Sequence, residues 1–190
     1  MMDKNKIYKF FELKEKLENA TFENFEIHNE EEKRLVEILK EAPSLKNNVI
    51  ITGGVGLGKT HLMYAILNKF CEKKDGYYLS KEISIVSIKE IIDIIRQTWR
   101  KDADRYDMEA LDNLKSVPLL IIEEVGVQYG SESERIELFD IFNDRYNNML
   151  PTIITSNFNE GQIKSTLGLR SYDRLFGGAY IFNLTGKSKR

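Results

Sequence analysis

The sequence predicts an α/β fold, with a five-stranded parallel sheet covered by helices on both faces. Three observations lead to it. Runs such as Asn48–Thr52 (NVIIT), Leu119–Ile122 (LLII) and Thr152–Ser156 (TIITS) each hold consecutive apolar residues, as strands buried on both faces do. Helical spacing fills the segments between them, and strands alternating with helices pair in parallel. A glycine-rich loop directly follows the first apolar run and leads into a helical segment.

The elements follow in chain order. Residues 1–20 read as a short helix or linker, with Ile7, Phe10, Phe11 and Leu17 at roughly helical spacing between Lys4 and Asn19. Residues 21–190 form the main domain. Thr21–Phe25 is a loop. Asn29 and the run Glu30-Glu31-Glu32 open a helix, because acidic side chains suit the positive end of the helix dipole; Pro43 stops it. The first strand, Asn48–Thr52, precedes a helix over Thr60–Glu72. A strand at Ile83–Ile88, an amphipathic helix over Lys89–Lys101 and a helical piece near Met108–Leu114 lead to the strand Leu119–Ile122. A helix over Glu132–Asn148 ends before Pro151. Strand Thr152–Ser156, short helices within Asn159–Phe176 and a last strand, Tyr180–Leu184, complete the chain.

Composition narrows the function. At 190 residues and 42% hydrophobic content the chain can bury one substantial core. A net charge of -2 argues against holding DNA by bulk positive charge and leaves a local basic patch open. The longest apolar runs, such as Val117–Ile122, are far too short to span a bilayer, so no membrane partner is expected. Met1–Lys6 is charged and leads into no signal-peptide apolar region. One cysteine, Cys71, excludes an internal disulfide, and with only two histidines it leaves no structural zinc set. The expected location is the cytoplasm.

Gly53-Gly54-Val55-Gly56-Leu57-Gly58-Lys59-Thr60 matches the Walker A pattern in full. Glycines let the backbone curl so that its N–H groups point around phosphate oxygens, and the start of the next helix adds positive dipole. Lys59 then reaches the β- and γ-phosphates, and the Thr60 hydroxyl binds Mg²⁺. His61 follows on the same helical turn and is counted with this set, although its ring, like that of His28, also reads as structural. The expected ligands are ATP and Mg²⁺.

Glu123 and Glu124 end the Leu119–Ile122 run as a Walker B pair would. Ligands of open α/β sheets bind at the carboxyl ends of strands. Glu123 would lie by Mg²⁺, while Glu124 would orient or deprotonate the attacking water. Aspartate is usual in the place of Glu123, and Mg²⁺ demands near-octahedral geometry, so slow hydrolysis is expected. Thr152–Ser156 resembles the strand that in many P-loop ATPases lies between the Walker A and Walker B strands, which would make Asn157 the residue placing water near the γ-phosphate; a plain Ser-Asn turn at a strand end is the other reading.

With these pieces placed, the chain resembles the bacterial helicase loaders of the DnaC type, within the AAA+ ATPases. The carriers are Thr21–Phe25 (TFENF), GGVGLGKTHL from Gly53, IIDIIRQTWR from Ile91, LLIIEEVGVQ from Leu119, PTIITSN from Pro151 and Gly168–Leu175 (GLRSYDRL). The resemblance implies a P-loop AAA+ core. It makes Arg174 the arginine finger that reaches a neighbouring subunit's ATP site, with Arg170 the close alternative and an ordinary salt bridge the plainer one. Arg190 falls where the family carries its sensor-2 arginine. The implied partners are a replicative helicase of the DnaB type, single-stranded DNA and further copies of the chain, joined through the ATP sites. In the helix Lys89–Lys101, Arg96, Trp99 and Arg100 combine an aromatic with arginines, which suits strand binding. Trp99 reads equally as core, since Ile92, Ile95 and Trp99 share one face. The front of the chain departs from the loaders, which carry a helicase-gripping domain there, so an ATPase module alone is expected. Two other readings stay open: a transposition helper ATPase of the IstB type acting on duplex DNA, and a nucleotide-switched interaction protein with little turnover.

Overall fold

A computed structural model describes residues 19–71, 81–126 and 131–189. The expected helix from Lys4, the Val127-Gln128 pair and Arg190 lie outside the described residues. The strands are β1 (Val49–Gly53), β2 (Ile83–Ser87), β3 (Leu119–Glu123), β4 (Thr152–Ser156) and β5 (Tyr180–Leu184). They form one sheet in the order β2-β3-β4-β1-β5, and every pairing is parallel. The helices are α1 (Glu30–Lys40), α2 (Lys59–Cys71), α3 (Ile88–Thr98), α4 (Arg105–Ser116), α5 (Glu132–Asn147), α6 (Glu160–Leu167) and α7 (Leu169–Phe176).

A side-chain period of two sorts each strand onto both faces of the sheet. Val49, Ile51, Leu119, Ile121 and Ile153 join Leu35, Leu39, Leu62 and Ile66 of α1 and α2 in one core. Ile50, Leu120, Ile122 and Ile154 join Ile88, Ile91 and Ile95 of α3 and Leu138 and Ile141 of α5 in the other. Burying each such side chain contributes about 1.5–3 kcal/mol, so a helix layer on both faces follows from the strand sequences.

Helix starts are fixed by reciprocal caps. Ser87 with Glu90, Asp104 with Asp107, Ser131 with Glu134 and Asn159 with Gln162 each form a capping box. The second of these starts α4 at Arg105, before the Met108 expected from hydrophobic spacing. Helix α3 also stops earlier than expected, because the Trp99 amide bonds back to the Arg96 carbonyl in a tightened turn. Arg100 and Lys101 therefore stand in an exposed turn.

At the amino ends of β3 and β4, Arg145 of α5 is only 1% exposed. Its Nε donates to Thr152 Oγ1 at 2.9 Å, its Nη1 to the Leu114 and Val117 carbonyls at 3.1 and 2.8 Å, and its Nη2 to the Pro151 carbonyl at 2.6 Å. Burial pulls this guanidinium down to about 9. Nearby, Asn48 Nδ2 donates to the Arg174 and Leu175 carbonyls, and Asn48 Oδ1 accepts from the Thr152 amide. This end of the sheet is locked by side chains, which leaves the carboxyl end for chemistry.

Candidate functional site

Strands β3, β4 and β1 are neighbours, so Glu123, Ser156 and Gly53 end side by side at one edge of the sheet. The loop after β1 turns through Gly56 at φ 84° and Gly58 at φ 87°, a left-handed region that L side chains rarely enter. Space excludes a side chain as well: a Cβ on Gly58 would stand 2.7 Å from Phe25 Cε2. Helix α2 starts at Lys59, whose Nζ donates to the Gly53 and Gly54 carbonyls at 2.6 and 2.8 Å. Burial holds this ammonium below the ordinary lysine value of 10.5, and the negative charge of Glu124 works against that shift. The Lys59 ammonium and the Glu124 carboxylate thus share one electrostatic neighbourhood.

Glu124 follows the end of β3 at φ 58°. A non-glycine residue in that region is strained and persists only where neighbours hold it. Thr155 of β4 does the holding: its Oγ1 accepts from the Glu124 amide at 3.4 Å and its carbonyl from the Val125 amide at 2.9 Å. Ser156 Oγ donates to the Val125 carbonyl and accepts from the Phe158 amide. Asn157 stands exposed just past β4. The sheet thereby brings the glycine loop, Lys59, Thr60, Glu123, Glu124 and Asn157 to one edge. Hydroxyl and carboxylate oxygens beside a lysine and a helix start are the donor set that a magnesium-bound triphosphate requires.

Other expected site residues lie elsewhere. His61 Nε2 is 2.9 Å from the Thr21 carbonyl, and its ring lies 5.7 Å from that of Phe25, so His61 joins α2 to the 21–25 loop. Arg174 is held at the amino end of the sheet through Asn48, separated from its own Gly53 by about 16 Å of strand. Among the described residues it pairs with an amide and a ring, where a salt bridge is the plainer expectation. Its Nε donates to Asn143 Oδ1 at 2.9 Å, and its guanidinium lies 4.7 Å over the Tyr146 ring. Arg170 is exposed and stands 6.0 Å from the Phe139 ring centre. Arg96 Nε bonds Glu134 at 2.7 Å, linking α3 to the start of α5. Trp99 is 46% exposed at the end of α3, whereas Ile92 and Ile95 are buried, so the core alternative for the tryptophan does not hold.

Motif spacing did not reveal Thr155 or Lys189. The Lys189 amide donates to the Gly56 carbonyl at 2.8 Å. The available signal was weak: a lysine-rich segment after the last strand, and an acidic first turn in α1 whose third glutamate, Glu32, is buried.

Strand order, helix layers and a glycine loop at the carboxyl edge define a P-loop nucleotide-binding domain of the AAA+ type. More narrowly, the chain belongs to the family of IstB-like ATP binding proteins, whose profile matches residues 3–190. It is similar to the replicative helicase loader DnaC of Buchnera aphidicola subsp. Baizongia pistaciae, 32% identical over 164 residues. That match covers 83% of this chain and 63% of the loader's length. A crystal structure of the DnaC helicase loader shares the fold, with a TM-score of 0.72 at 21% identity, covering 90% of this chain and 100% of that one. The replication initiator DnaA, solved bound to AMPPCP and single-stranded DNA, gives a TM-score of 0.71 at 28% identity, over 88% of this chain and 50% of that one. None of the helices among the described residues is long and apolar enough to cross a membrane.

Proposed function

We propose that this chain is an ATP-hydrolysing module of the helicase-loader type, working on single-stranded DNA and a replicative helicase in the cytoplasm. The observation that carries it is the convergence of the glycine loop, Lys59 and the Glu123-Glu124 pair at the same edge of the sheet, on strands separated only by β4, in a chain 32% identical to a helicase loader. Amides of residues 54–58 and Lys59 bind and orient the triphosphate, and Glu124 takes the proton of the attacking water while Asn157 positions it. Thr60 and Glu123 would hold Mg²⁺, which when bound neutralises charge on the β- and γ-oxygens. Arg174, too far from its own loop, completes the site of a neighbouring copy, with Arg170 beside it on α7. Turnover then depends on assembly.

Single-stranded DNA would lie on the exposed turn after α3. Trp99 offers a stacking face, and Arg100 and Lys101 follow it in the same exposed turn. The deciding experiment is a pull-down with a DnaB-type helicase, with ATP and without it. Nucleotide-dependent capture is expected, and no capture in either condition overturns the loader reading.

The family profile supports a second reading, a transposition helper of the IstB type. Preference for duplex over single-stranded DNA in a binding titration would favour it. Tight ATP binding without phosphate release, even with concentrated protein and DNA, would favour a nucleotide-switched interaction protein instead.

A further inference from the structure

The segment after β5 crosses the apex of the glycine loop. The Lys189 amide donates to the Gly56 carbonyl at 2.8 Å. In a planar trans peptide the carbonyl of one residue and the N–H of the next point in opposite directions. Fixing the Gly56 carbonyl toward Lys189 therefore fixes the Leu57 N–H toward the other side of the loop, where phosphate oxygens would lie. The lysine side chain anchors this contact. Its Nζ donates to the Glu26 carbonyl at 2.6 Å and to Glu32 Oε2 at 2.9 Å, and it lies 3.8 Å over the Phe25 ring centre. The two charged side chains are nearly sealed from solvent, 9% exposed for Lys189 and 2% for Glu32. Phe25 in turn closes the space at Gly58. A buried ion pair holds its geometry far better than an exposed one, because either charge left alone there is strongly disfavoured.

We propose that Lys189 is a positioning residue for nucleotide. Its pairing with Glu32 straps the segment after β5 across the loop, and the strap keeps the Leu57 amide aimed as a phosphate donor. This rests on reading residues 53–60 as the triphosphate cradle, so the test separates the two ideas.

The experiment titrates a fluorescent ATP analogue into the full chain and into Lys189→Met, Glu32→Gln, the double variant and Lys189→Arg, each below its unfolding temperature. The two single variants should weaken binding by about tenfold, as expected when a donor to an anionic group is misaligned. The double variant should be no worse than either single one, because both remove the same pair. Lys189→Arg, which keeps the charge, should restore most of the affinity. Unchanged affinity in all variants, with the unaltered chain still binding, overturns the strap and leaves the cradle intact. A second measurement needs no variant that must fold: amide hydrogen exchange of the unaltered protein with and without ATP. Exchange should slow on ATP binding at residues 53–60 and at the Lys189 amide together. Slowing at 53–60 alone overturns the strap, and no slowing at 53–60 overturns the cradle.

Discussion

Lys59 Nζ and the Gly53 carbonyl oxygen stand 2.6 Å apart, so the loop's own backbone aims its lysine across the mouth of the curl. Removing the amine should cost most of the triphosphate's binding. Lys59→Ala is expected to weaken ATP about 100-fold, or ~2.7 kcal/mol, as lost hydrogen bonds to charged phosphate oxygens would. Calorimetric titration against ATP measures this, and retained affinity would contradict the assignment.

The same residue predicts a pH dependence. Burial lowers the Lys59 value below 10.5, with Glu124 opposing. Bound phosphate favours the ammonium, so the complex holds its proton to higher pH than the free protein. Affinity should be full below the free protein's lowered value and fall as pH rises through it, starting before 10.5. Titrations from neutral to alkaline pH check the sign. Lys59→Arg, charged throughout, should show less of the decline if it binds at all.

Glu124 joins its proposed role as general base to a strained backbone. Glu124→Gln should slow phosphate release about 100-fold while ATP still binds, as expected for loss of a general base. Glu124→Gly should also abolish turnover, yet unfold at a higher temperature, because glycine relieves a strained left-handed residue held at φ 58°. The gain is about 1 kcal/mol. Thermal melts and phosphate-release assays read the two effects separately.

Arg174 cannot serve its own loop, which makes mixing experiments decisive. Arg174→Ala should bind ATP normally and lose hydrolysis about 100-fold or more. Mixing it with Glu124→Gln should recover part of the activity at interfaces where an intact Arg174 meets an intact Glu124. Normal hydrolysis by Arg174→Ala alone would remove the arginine from the mechanism.

Arg145→Met should destabilise folding by about 3 kcal/mol, since its four acceptors at the amino ends of β3 and β4 would stay buried without their donor. Urea unfolding gives the loss. ATP affinity of the folded fraction should hold, because the cage lies at the sheet edge opposite Gly53.

Trp99→Ala should reduce single-stranded DNA binding by about 1–3 kcal/mol with unchanged ATP affinity. Arg100→Ala should flatten the salt dependence of binding instead, because it removes a phosphate contact. No change in either variant would take the turn after α3 out of the DNA path.

The strand pattern and the glycine loop were legible in the chain itself. Contiguous apolar residues in NVIIT, LLII and TIITS put apolar side chains on both faces of a strand, and a loop of contiguous residues carries its own backbone geometry wherever it folds. Both are local properties, with the relevant atoms only a few bonds apart. Tertiary structure alone decided the rest. With β4 between β1 and β3 as expected, it set Thr155 to hold Glu124 in its strained turn. It also put Arg174 at the far end from Gly53, left Trp99 in solvent and laid Lys189 across Gly56. Each of those depends on residues far apart in sequence meeting through shared burial. Helical or strand spacing records which face a residue takes, and says nothing of what another segment will lay against it.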